Sequence, residues 1–153
     1  MEHNVKILAP EELMEPLLAL LEETESVPLV ISGYSMTPFL LHGRDTVYLS
    51  RIKEPLKRGD MVLYRRDTGA YILHRVYRVE GETYTMVGDA QTQLEPGIRK
   101  DQMLAKVVAV RRKGKLLKKG DFLWDFFEKT WIGMVSARPK AMAAYAGIKR
   151  LRN

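Results

Sequence analysis

A mainly β domain flanked by helices is the fold class that the sequence predicts, and three observations carry that expectation. Short apolar runs rich in β-branched and aromatic residues recur between residues 27 and 118, and several adjoin turn signals such as Gly59-Asp60, Gly81-Glu82 and Gly114. Ahead of them, Leu13, Leu17, Leu20 and Leu21 recur at helical spacing. After Gly120 the pattern returns to helix, aromatic at first and then Ala-rich and basic. A chain of 153 residues allows one domain of ordinary size. Its expected parts are an N-terminal helical segment (1–26), a β-rich core (27–118) and a basic helical tail (119–153).

Pro10 followed by two glutamates reads as a helix start, with acids placed well for the macrodipole, and the spacing predicts a helix over 10–25 that Pro16 interrupts or shifts. Strands follow at Leu29–Ile31, Thr46–Arg51, Met61–Tyr64 and Tyr71–Val79. Thr83–Val87 is expected to close a hairpin with the run before it, and Leu104–Arg111 and Lys115–Leu117 complete the set. Asp121 is placed to cap a helix through Phe122, Trp124, Phe126, Phe127 and Trp131. Pro139 is expected to break the chain before a second helix over Ala141–Arg150.

Composition narrows the chemistry. There is no cysteine, which excludes a disulfide scaffold, a thiol nucleophile, a thiolate zinc site and an iron–sulfur centre. Three histidines, His3, His42 and His74, leave little material for a metal site, so neither metal nor cofactor is expected. The N-terminus is acidic rather than basic-then-apolar, and no apolar run reaches about 18 residues, so the expected compartment is the cytoplasm. Charge is uneven: residues 1–110 hold 13 basic and 16 acidic side chains, residues 111–153 hold 12 and 3. Such a tail suits a solvated helix face, with its aromatics capping the β-core. It equally suits peripheral contact with anionic lipid at the inner membrane face, with Trp124 and Trp131 inserted. Nucleic acid is not an expected partner, because the aromatics look apolar-packed and no recognition helix is evident.

Four short stretches carry the chemistry. Ser35 lies in Gly33-Tyr34-Ser35-Met36-Thr37-Pro38, after a strand, where a hydroxyl can stand beside free backbone N–H groups. Gly59-Asp60 opens a hydrophobic strand. His74, in Tyr71-Ile72-Leu73-His74-Arg75-Val76, shares a strand face with Ile72 and Val76. Val87-Gly88-Asp89 ends a strand, six residues before Glu95. Each has an ordinary reading: a turn serine, a common turn, a half-buried histidine tied to a backbone carbonyl, and turn acids.

In this order the four resemble the boxes of the signal peptidase I and LexA clan of serine peptidases. Gly33 to Pro38 matches that clan's Gly-x-Ser-Met-x-Pro box, and Gly59-Asp60-Met61-Val62 its Gly-Asp-hydrophobic box. His74-Arg75-Val76 falls where bacterial signal peptidases have Lys-Arg-Val and thus resembles the histidine type of archaea and the endoplasmic reticulum. Gly88-Asp89 matches a Gly-Asp-Asn box, with Ala90 in place of Asn. The resemblance covers roughly residues 28–110. It implies a LexA/signal-peptidase-like coiled β-domain in which Ser35 is the nucleophile and His74 the general base. A serine hydroxyl needs such a base, and an imidazole serves near neutral pH. Asp89 or Glu95 would orient the imidazole, with a slight lean to Asp89 because Gly88-Asp89 aligns without ambiguity. Gly33 and Met36 belong to the oxyanion loop, whose donor would be the Ser35 N–H.

Some features depart from the clan. Gly33 stands where some members have a serine donor, and Gly43-Arg44-Asp45 interrupts a usual Gly-Asp. A transmembrane anchor, a helix-turn-helix and an upstream Ala-Gly self-cleavage site are not evident. The expected activity is therefore a serine endopeptidase acting on a peptide or precursor protein, including small precursor peptides. The alternatives are a non-catalytic peptide-binding module on the same fold and a membrane-surface accessory protein.

Overall fold

The computed structural model describes residues 10–152. Helix α1 (Pro10–Glu23) runs through Pro16 without interruption. Proline there removes one donor, to the carbonyl of Glu12, and both residues lie on the solvent side. The buried stripe is Met14, Leu17 and Leu21, whereas Leu20, expected on the core face, is about half exposed.

Eight strands follow: β1 (Val27–Val30), β2 (Thr46–Ser50), β3 (Met61–Arg65), β4 (Tyr71–Glu80), β5 (Thr83–Val87), β6 (Glu95–Arg99), β7 (Met103–Arg112) and β8 (Lys115–Leu117). They form one antiparallel sheet in the order β1-β2-β7-β3-β4-β5-β6, with β8 on β7. Strand β6 was not foreseen. Its Pro96 and Gly97 hide the strand pattern, but β6 is an edge strand, where proline is tolerated, and its register to β5 shifts between Tyr84 and Met86.

The centre of the sheet is buried on both faces. On β3, Met61 and Leu63 join one core cluster with α1 and the C-terminal aromatics, while Val62 and Tyr64 join a second with Val76, Met86 and Ile98. Register shifts recur in β2–β7, β3–β7, β4–β5 and β5–β6, and such irregularities bend and twist strands. The β3–β6 half curls so far that β6 reaches the β3–β4 turn. Arg99 pairs with Asp67 at 3.0 Å and Glu95 with Arg66 at 2.8 Å.

The C-terminal region departs from the expected pair of helices. A single helical turn, α2 (Phe122–Asp125), passes into a wide π-type turn (Phe126–Thr130) and two short 3₁₀ turns before α3 (Arg138–Arg152). Asp121 does not cap α2 with its side chain; its carboxylate accepts from the Lys118 N–H at 2.8 Å. Pro139 does not break the chain but sits in the first turn of α3, where its missing donor would be unpaired anyway. Trp124, Phe127 and Trp131 are buried in the first cluster, with Phe127 stacked on Phe39 at 4.7 Å. These aromatics cap the β-core, so the two tryptophans are not available for insertion into lipid. No helix among the described residues is long and apolar enough to cross a membrane.

Candidate functional site

Adjacent residues on a strand point to opposite faces, and on β4 this separates His74 from Arg75. Arg75 faces Phe39 and meets Asp89 in a double hydrogen bond, Nε and Nη2 each 3.0 Å from a carboxylate oxygen. Its Nη1 donates to the Gly59 carbonyl at 2.8 Å. Arg75 and Asp89 are both fully buried. The Gly59 and Gly88-Asp89 boxes are thus held together by one ion pair. Asp89, the favoured partner for the imidazole, turns away from it because Arg75 occupies both of its oxygens.

His74 faces the second cluster. The β3–β4 register sets Val62 opposite His74 and Tyr64 opposite Ile72, which makes Tyr64 a diagonal neighbour of His74 on one face. Its hydroxyl lies 3.2 Å from His74 Nδ1 and also donates to Glu95 Oε1, whose carboxylate is in turn held by Arg66. Glu95, the other candidate from sequence, therefore reaches the imidazole through a tyrosine. The partner of His74 is not the backbone carbonyl expected of a structural histidine.

This chain fixes the tautomer. Tyr64 has one proton, and burial together with the Glu95 carboxylate raises its pKa well above the usual phenol range. With that proton given to Glu95, the tyrosine oxygen can only accept from His74. Nδ1 then carries the hydrogen and Nε2 keeps its lone pair. Nε2 has no hydrogen-bond partner among the described residues. Burial, helped by the Arg66 charge and opposed by Glu95, pushes the His74 pKa down to about 4, so the ring is neutral near pH 7. The imidazole forms part of a groove of about 630 Å³ whose other walls are Arg66 and residues 90–96.

Ser35 sits in the loop between β1 and β2, half-buried, with Met36 buried beneath it. Several hydrogen bonds hold the loop around the serine. Gly33, at φ 87°, donates its N–H to His42 Nδ1 at 2.8 Å, the Met36 carbonyl accepts from Leu40 at 2.9 Å, and the Ser35 carbonyl accepts from Ala90 at 2.9 Å. The N–H groups of Ser35 and Met36 have no partner among the described residues, whereas that of Gly33 is occupied by His42. His3 lies outside the described residues, within which no cluster of potential metal ligands occurs.

Gly88 joins the serine loop to the histidine strand. A Cβ there would lie 2.6 Å from the Ser35 carbonyl oxygen and 3.1 Å from His74 Cδ2, so a side chain at 88 would push the two apart. No hydrogen bond links Ser35 Oγ to His74 itself. The turn after Gly88 is braced from behind. Arg138 Nη1 donates to the carbonyls of Gly88 and Gln91, both at 2.9 Å, and Trp131 Nε1 donates to the Asp89 carbonyl at 2.8 Å. Arg138 is buried, which lowers its pKa, and it spends its charge on carbonyl oxygens. Sequence reading missed Tyr64, Arg66 and Arg138, and it named Trp131 without its role behind the Gly88 turn. The first two could have been found from β3–β4 alternation, which puts Tyr64 two residues from the position opposite His74.

No family model matches the chain, and no curated protein or solved structure matches it.

Proposed function

We propose that this chain is a serine endopeptidase of the histidine type on a LexA/signal-peptidase-like fold. The observation that carries the reading is the meeting at Gly88 of the Ser35 loop and the His74 ring, with the Ser35 N–H and His74 Nε2 both unpaired. The four-box resemblance supports the same assignment. Ser35 Oγ would attack the scissile carbonyl carbon while Nε2 takes the hydroxyl proton. The oxyanion so formed would face the Ser35 N–H. The imidazolium would return the proton to the leaving amine, and water would release the acyl group from Ser35 by the reverse route. Tyr64 and Glu95 act as positioning residues. They keep the proton on Nδ1 and stabilise the imidazolium across the tyrosine oxygen.

The test is mass spectrometry of a mixed peptide pool incubated with the purified chain. New peptide ends are expected with the native chain and are lost, by at least about a thousandfold, in Ser35→Ala and His74→Ala. Products that persist in both variants overturn the assignment. A second reading, a non-catalytic peptide-binding module, is favoured by the missing Ser35–His74 hydrogen bond. It expects no cleavage, and peptide binding that survives Ser35→Ala.

A further inference from the structure

Helix α3 begins against the body of the protein and ends away from it. Its first turns pack Ala141 and Met142 on the main core cluster. The Ala141 face then continues as Tyr145, Ile148 and Leu151, with side chains 55%, 56% and 89% exposed. Tyr145 to Leu151 covers nearly two turns, roughly 9 Å of helix, half exposed at its start and almost fully exposed at Leu151. Lys140, Lys149, Arg150 and Arg152 are exposed on the same helix. No aspartate or glutamate occurs between residues 129 and 153.

We infer that α3 docks on an anionic lipid surface, with Tyr145, Ile148 and Leu151 inserted at headgroup depth and the lysines and arginines on lipid phosphates. Charge selects this occupant. The stripe has cations beside it and no carboxylate on its own helix, so two α3 helices paired face to face would bring like charges together. A bilayer with anionic headgroups supplies a dense negative charge to the cations and an apolar layer to the stripe. The contact rests on α3 and not on the tryptophans before it, because Trp124, Phe127 and Trp131 are already buried in the core, which leaves Phe122 as the exposed aromatic of that segment. It is independent of whether Ser35 cleaves peptides.

Co-sedimentation of the full chain with vesicles tests the inference, using phosphatidylcholine alone and phosphatidylcholine mixed with phosphatidylglycerol. Pelleting is expected with the anionic vesicles only, and it should weaken as salt is raised. Two variants separate the contributions. Lys149→Glu/Arg150→Glu/Arg152→Glu removes the cations, and Ile148→Asp/Leu151→Asp removes the stripe. Each should lower partitioning by about tenfold or more. All five side chains are exposed, so the thermal unfolding midpoint should stay at the native value and serves as the folding control. Equal recovery with both vesicle types, or equal recovery of native and variant chains, overturns the inference. So does a dimer by light scattering that Ile148→Asp/Leu151→Asp converts to a monomer, since a second copy then covers the stripe.

Discussion

The two faces of β4 hold two polar constellations of opposite design, one residue apart. On one face Arg75 and Asp89 form a closed knot, in which both carboxylate oxygens are taken by one guanidinium and the pair is wholly buried. On the other, His74, Tyr64, Glu95 and Arg66 form an open chain that begins at Nε2, which has no partner, and runs along one side of a groove. The closed knot holds chain segments together; it ties the strand preceding Ser35's neighbour Gly88 to the Gly59 turn. The open chain sets protonation at one atom. An acid's place in sequence does not decide which design it joins. An arginine holds each acid; what differs is that the Arg75–Asp89 pair is fully buried and takes no further side-chain partner, whereas Glu95 beside Arg66 still accepts from Tyr64.

Breaking the knot should have the largest effect. Asp89→Ala leaves the Arg75 charge buried without its partner, at an expected cost of about 3–5 kcal/mol in denaturant unfolding. Arg75→Met/Asp89→Leu should recover most of that loss, because neither charge is then left alone. If Asp89→Ala keeps native stability and loses only peptide cleavage, Asp89 belongs to the site and the contrast between the two faces collapses.

The open face should reveal itself through pH. The folded His74 pKa is about 4, below the ordinary 6.5. Between those values the unfolded chain takes up a proton that the folded chain refuses, so stability falls as pH drops through that window. Well above 6.5, where neither state binds the proton, the histidine contributes no slope. The loss is about 3 kcal/mol by pH 4. Urea unfolding at intervals from pH 7 to pH 4 measures it, and His74→Gln should flatten the curve in this window. An unchanged slope in His74→Gln would mean that the ring is not kept neutral by burial.

Much of this arrangement was legible in the sequence. Seven of the strands follow from apolar runs and glycine turns, because period and punctuation are local properties. The eighth, β6, was hidden by Pro96 and Gly97, which only its position at the sheet edge makes tolerable. Ser35, His74 and Gly88 could each be picked out by their boxes, but that Gly88 stands between the other two in space could not. The choice between Asp89 and Glu95 could not be made. It depends on Arg75 and Tyr64, which lie 14 and 31 residues from the acids they hold. A further dependence is on the curl of the sheet, which brings β6 over the β3–β4 turn. The tail left two readings open for a related reason. Its charge and aromatics were visible, but which aromatics the core takes up is a matter of packing against Phe39.

The smallest predicted effect is the sharpest test of the open chain, because it removes one oxygen atom. In Tyr64→Phe the ring still fills its place in the second core cluster, and Glu95 keeps Arg66. What is lost is the acceptor for His74 Nδ1. The imidazole is then free to carry its hydrogen on Nε2, the wrong nitrogen for a base that must take a proton there. On the proposed reaction, kcat should fall about 10- to 100-fold with KM nearly unchanged, since no substrate contact is removed. Nitrogen-15 shifts of the His74 ring supply a readout that a packing defect would not move. The native chain should show a hydrogen-bearing Nδ1 and a bare Nε2 at neutral pH, and Tyr64→Phe a mixture of the two tautomers. Glu95→Gln should fall between them, because the amide oxygen still accepts from Tyr64 but no longer brings a negative charge. A native ring that already carries its hydrogen on Nε2 would remove the tyrosine from the chain and leave His74 without a positioning partner.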